Sequence, residues 1–149
     1  MSIRNIIKSD YPTILDIYAC SKLDELRFED KVFEFLPLEH DSKRYRQLIE
    51  SDIYVFDDEG IKAYGAVFGS EIRALFVHPH VRGQGIGKQL LEYLLSKIKG
   101  EANLYVAKTN FPAIKLYQDY GFRISNEFQT EYNGVSVLAN EMVRSAIKF

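Results

Sequence analysis

Gly83, Gly85 and Gly87 stand just after Arg82 and just before a run of leucines, and this spacing is the clearest chemical signal in the chain. Leu90, Leu91, Leu94, Leu95 and Ile98 recur at helical intervals, so the glycines fall where a helix begins. A helix N-terminus offers free N–H groups and the positive end of a dipole. Glycines clear side chains from that backbone, so the ligand such a stretch suits is a phosphate or pyrophosphate. Other reactive side chains are sparse. Cys20 is the only cysteine and has no histidine beside it in sequence, so it reads as a small buried or half-buried helix residue. One thiol and three histidines make a zinc site improbable, and no metal is expected. Asp24, Glu25, Glu29, Asp30 and Glu34 either line a site for a cationic substrate or form a solvated face, the commoner fate of charge runs.

The elements that must position these groups follow from periodicity. Ile3–Ile7 reads as a first strand. Ser9-Asp10-Tyr11-Pro12 then opens a helix whose inward stripe is Ile14, Leu15, Ile17 and Tyr18. Residues 23–40 are irregular and form a candidate lid over the acceptor. Asp41 or Ser42 opens a second helix through Ile49, with Tyr45, Leu48 and Ile49 inward. Strands at Ile53–Phe56, Ile61–Phe68 and Glu71–Val77, linked by tight turns, make an antiparallel meander that Pro79 ends. The long helix and a strand at Asn103–Ala107 complete a β-α-β unit. Asn110-Phe111-Pro112 caps a helix that Gly121 ends. Asn133-Gly134 is the turn of a closing hairpin. The fold class is α+β: a mixed, mostly antiparallel seven-stranded sheet with about four helices, in the order β-α-α-β-β-β-α-β-α-β-β.

At 149 residues the chain is expected to be one domain, residues 1–149. A formal charge of -2 gives no electrostatic case for nucleic acid. No apolar run approaches a membrane span, and the N-terminal residues carry no signal-peptide core, so a cytoplasmic location is expected.

Two common nucleotide motifs fail against the glycine loop. A P-loop needs glycine where Arg82 stands, and Ser or Thr where Gln89 stands. A dinucleotide fingerprint needs a different third spacing and a later carboxylate, and Tyr105-Val106-Ala107 supplies none. Arg82-x-x-Gly85-x-Gly87 does fit a pattern. With Leu75–Lys88 on one side and Asn110–Phe122 on the other, the chain resembles the GNAT superfamily of acetyl-CoA-dependent N-acetyltransferases. The second block, Asn-Phe-Pro-Ala-Ile-Lys-Leu-Tyr-Gln-Asp-Tyr-Gly-Phe, looks like that superfamily's following motif.

The resemblance implies roles for particular residues. The backbone of Leu75, Phe76 and Val77 would pair with the pantetheine arm of acetyl-CoA, on a strand that splays from its neighbour and carries a bulge. Arg82 and the amides of Gly83, Gln84, Gly85, Ile86, Gly87 and Lys88 would hold the pyrophosphate. Asn110 would hydrogen-bond the cofactor's arm, and Tyr117 would lie near its sulfur. An amine must lose a proton before it attacks the thioester, fixed N–H donors stabilise the resulting oxyanion, and a phenol such as Tyr117 can protonate the departing thiolate. Glu71 matches a place where some members carry a base, so it either relays the proton through water or is an exposed strand-end carboxylate. Tyr105 stands where others carry a glutamate. A water channel with no single base is the alternative, and His78, beside Pro79, reads as a turn residue.

The implied reaction is direct transfer of an acetyl group to a primary amine of a small molecule, peptide or protein in a ternary complex. The acidic residues of 23–40 lean toward a cationic acceptor. The assembly is a monomer or homodimer, with neither nucleic acid nor membrane as a partner. A non-catalytic acyl-CoA sensor with the same fold is the competing reading.

Overall fold

The computed structural model describes residues 1–146. Within them β2 (Asp52–Asp57), β3 (Ile61–Phe68) and β4 (Glu71–Val77) form the expected antiparallel meander. β1 (Ser2–Asn5) adds to its outer edge, antiparallel to β2. β5 (Ala102–Ala107) runs parallel to β4. β6 (Arg123–Tyr132) and β7 (Val135–Arg144) close the sheet as a hairpin, with β7 against β5. The order across the seven strands is β1-β2-β3-β4-β5-β7-β6. Asn133 and Gly134 both have positive φ, the conformation that tight hairpin turns require. The element order matches the one read from periodicity, with short 3-10 turns added at Lys8–Asp10, Lys22–Leu26, Leu38–His40 and Pro79–Val81.

Four helices cover the two faces. α1 (Tyr11–Ser21) and α2 (Ser42–Ile49) lie on one, where Ile14, Ile17, Tyr18 and Leu48 pack on Val55, Tyr64, Ala66 and Phe76. α3 (Ile86–Ser96) and α4 (Phe111–Asp119) lie on the other. There Ile86 and Leu90 meet Phe56 and Ala63, while Leu91, Leu94 and Tyr117 meet Val67, Ile72 and Leu104. Each fully buried leucine of α3 contributes about 1.5–3 kcal/mol. β3 is therefore covered on both sides, and its side chains alternate between the two cores.

Three local expectations are corrected. The first strand ends at Asn5 rather than Ile7, and Ile7 is exposed. Cys20 is exposed, because the buried stripe of α1 runs through Ile14, Ile17, Tyr18 and Ser21 and leaves position 20 outward. Ile49, the last residue of α2, is also exposed, since the helix ends before that position turns toward the sheet. No helix among the described residues is long and apolar enough to cross a membrane.

Gly65, in the middle of β3, sets how closely α3 approaches the sheet. A Cβ there would lie 2.7 Å from Leu94 Cδ1 and 3.3 Å from the Ala74 carbonyl oxygen. Leu94 is fully buried, so it has no free space to move into. Gly65→Ala should therefore destabilise the fold by about 1–3 kcal/mol. The corresponding fall in Tm, roughly 2–4 °C per kcal/mol, is measurable by circular dichroism.

Candidate active site

The sheet opens between β4 and β5. Glu71 pairs with Asn103 and Ile72 with Leu104, and no further pairing follows. A register shift on the β3 side supports this divergence: Ala66 pairs with Ala74 but Val67 with Ile72, leaving Arg73 as a bulge. Past the bulge, the edge of β4 that faces β5 has no strand beside it. The gap continues into a cleft of about 1350 Å³. That exceeds the roughly 300–1000 Å³ of a typical single-ligand pocket, so it has room for two substrates.

The glycine loop forms one wall. Gly83 and Gly85 have φ of +80° and +79°, a left-handed conformation that disfavours side chains, and a Cβ at either would meet nothing within 4 Å. Open space thus lies directly against the backbone. The first bond of α3 is donated by the Gln89 N–H to the Gly85 carbonyl at 3.1 Å. The amides of Ile86, Gly87 and Lys88 precede that bond and project from the helix end, as an anion site requires. The side chains of Gln84 and Lys88 point to solvent and do not line the cleft, while Ile86 is buried beneath it. The fit to a pyrophosphate is thus a matter of main chain. Arg82 is engaged elsewhere: its guanidinium is 2.6 Å from Asp24 and 3.4 Å from the Val77 carbonyl, tying the loop to the 22–26 turn.

Across the gap, Asn110 occupies the N-cap position of α4, but its side chain makes no capping hydrogen bond. The expectation of a capping asparagine is corrected: the carboxamide lines the cleft and is free for a ligand. Tyr117 lies two turns further along the helix, its ring edge-on to Phe122 with centroids 5.8 Å apart. Its hydroxyl has no hydrogen-bond partner among the described residues. Tyr120, on the outer side, donates to Glu92 at 2.9 Å. Glu71 lines the cleft at the closed end of the gap, held by Arg73 at 3.3 Å. Arg73 is itself fixed by Glu50 at 2.6 Å and by the Gln47 carbonyl. Leu75, Phe76 and Val77 line the gap along β4, although the Phe76 ring itself packs against Tyr18 and Tyr64.

The acidic run of 23–40 is not one free surface. Asp24 pairs with Arg82, Glu25 with Lys22 at 2.9 Å, and Glu29 accepts from Thr109, whereas Asp30 and Glu34 are exposed. Sequence reasoning did not single out the group at the far wall, Tyr18, Lys22, Arg44 and Tyr132, all of which line the cleft. Tyr18 and Tyr132 come from opposite ends of the chain, and no local pattern joins them.

Burial holds the Tyr117 phenol far above the ordinary tyrosine range, and the Glu25 carboxylate across the cleft pushes it the same way. Burial likewise raises Tyr18 and Tyr64. Tyr117 therefore keeps its proton throughout the neutral range.

With this geometry in place, residues 49–124 match the acetyltransferase (GNAT) domain. A peptidyl-lysine N-acetyltransferase, YjaB of Salmonella typhimurium, is 32% identical over 53% of this chain and 54% of its own. A second, YiaC of Escherichia coli, is 31% identical over 82% of this chain and 83% of its own. The structure of yncA of Salmonella typhimurium, solved with its cofactor acetyl-CoA, superimposes with a TM-score of 0.72. That alignment covers 100% of this chain and 95% of yncA at 21% identity. The chain belongs to the GNAT acetyltransferase family. It spans about half the length of the first of these relatives.

The buried phenols make stability fall at alkaline pH. Below the unfolded-state pKa of about 10 they are protonated in both states. Above it the unfolded chain sheds protons that the folded chain keeps, so stability is lost as pH rises. Tyr117→Phe should lose less stability than the wild type between pH of about 9 and about 11, as measured by urea titration across that range.

Proposed function

We propose that residues 1–149 form a single N-acetyltransferase unit that moves an acetyl group from acetyl-CoA to a primary amine by direct attack in a ternary complex. The observation that carries this reading is the convergence on one gap of three unpaired groups: the glycine-loop amides, the Asn110 carboxamide and the Tyr117 hydroxyl. When bound, acetyl-CoA supplies the thioester that the amine attacks. The amides of Gly83–Lys88 are the donors for its pyrophosphate, and the free edge of β4 at Leu75–Val77 is the partner for its arm. Asn110 is positioned to bond that arm from the other side. The Tyr117 hydroxyl, protonated and unpartnered, is suited to give its proton to the departing sulfur. Glu71 is the carboxylate at the closed end of the gap, and it takes the proton of the incoming ammonium through water. Cys20 is exposed and does not line the cleft, so a covalent acyl-cysteine route has no nucleophile there. An amine acceptor agrees with the peptidyl-lysine activity in the names of the relatives.

The test is thiol release from acetyl-CoA across a panel of alkylamines, polyamines and basic peptides, with acetyl-CoA affinity measured by calorimetry. Turnover with at least one amine is expected. Tyr117→Phe should lower kcat by roughly 10²–10⁴ with acetyl-CoA affinity within a factor of about two. Gly85→Val should weaken acetyl-CoA binding, since its side chain would enter the space in front of the amides and strain a positive φ. Tight binding of acetyl-CoA with no turnover across the panel would establish the sensor reading instead. Unchanged turnover in Tyr117→Phe would remove the phenol from the mechanism.

A further inference from the structure

At the wall of the cleft facing the α4 side, one alkylammonium is already held. The Lys22 side chain is only 12% exposed, and its Nζ lies 2.9 Å from Glu25 Oε2. The same Nζ is 5.4 Å from the centre of the Tyr132 ring and 5.8 Å from that of Tyr18, within cation–π range of both. Tyr132 is anchored: its hydroxyl accepts from the Leu36 N–H at 2.8 Å and donates to the Leu36 carbonyl at 3.2 Å. Arg44 also lies over Tyr132, at 5.2 Å, but its charge is answered by Asp41 at 2.9 Å and the Glu131 carbonyl at 3.1 Å. The Tyr18 hydroxyl completes the group. It is fully buried and is the single buried side-chain polar atom among the described residues without a hydrogen-bond partner. Leaving such a group unpaired has a desolvation cost that a ligand atom would relieve.

We propose that Tyr18, Tyr132 and Glu25 form the ammonium subsite for the acceptor, and that the Lys22 ammonium fills it until a cationic acceptor displaces it. This rests on the acetyltransferase reading and narrows its acceptor to a diamine or polyamine, whose second ammonium sits in the subsite while the amine at its other end reacts. The incoming ammonium has one more bond to make than Lys22 makes, to the Tyr18 hydroxyl, with Glu25 as counter-ion and the two rings as walls. Lys22 then swings toward solvent on its flexible stem. Self-occupancy weakens apparent affinity by the fraction of molecules in which the subsite is free. It also screens out neutral amines, which cannot replace a cation beside Glu25.

The test is calorimetric binding of 1,5-diaminopentane to the full chain, with and without coenzyme A, alongside acetyl-CoA binding and thiol release. Lys22→Met keeps the unbranched stem and removes the competing charge, so it should bind the diamine about tenfold more tightly than the wild type. Glu25→Gln should bind it about tenfold more weakly. Tyr18→Phe should also bind it more weakly while keeping its Tm, because the lost hydroxyl has no protein partner. Binding by Lys22→Met no tighter than wild type would overturn the proposal, as would binding of glutarate in place of the diamine. So would the absence of diamine binding in every variant. Failure of the acetyltransferase reading would be separate, appearing as no acetyl-CoA binding and no thiol release whatever the diamine does.

Discussion

Two residue pairs, Glu71 with Asn103 and Ile72 with Leu104, are all that joins the two halves of the sheet by strand pairing. Backbone N–H and C=O groups that leave a ladder must find partners elsewhere or face solvent. The divergence of β4 from β5 therefore creates a polar edge beside a cleft, and that edge is the place where an extended ligand can act as a missing strand. Other features follow from holding the gap open. The bulge at Arg73 turns β4 outward, and Arg73 is fixed in place by Glu50 and Glu71. On the far face α3 and α4 share one core across the split, through Leu91, Leu94, Leu104 and Tyr117. The halves are held together by side chains where the ladder no longer joins them.

The same arrangement couples packing to chemistry at Tyr117. Its ring is part of the core that joins α4 to the sheet, while its hydroxyl reaches the cleft. Burial of the ring keeps the phenol protonated, and Glu25 reinforces this from the opposite wall. A donor with a raised pKa gives up its proton only to a strong base.

How much of this was legible in the sequence divides along the range of the interaction. The glycine loop, the meander, the Asn133-Gly134 turn and the order of all eleven main elements rest on local rules, namely positive φ, period-two alternation and helical spacing. They came out as read. Cys20 and Ile49 were misread because both sit near helix ends, where one residue of phase decides between core and solvent. Asn110 stands at the cap position as read, and what local rules did not show is that its side chain makes no capping bond. The pairing of Arg82 with Asp24 joins residues far apart in sequence, and no local pattern marks it. The wall built from Tyr18, Lys22 and Tyr132 was illegible for the same reason.

The Arg82–Asp24 pair shows how the two ends of the cleft are connected. Both side chains are well exposed, so the contact adds little to stability in water. Its effect is geometric. It links the glycine loop to the 22–26 turn, and that turn carries Lys22 and Glu25 into the lining of the cleft.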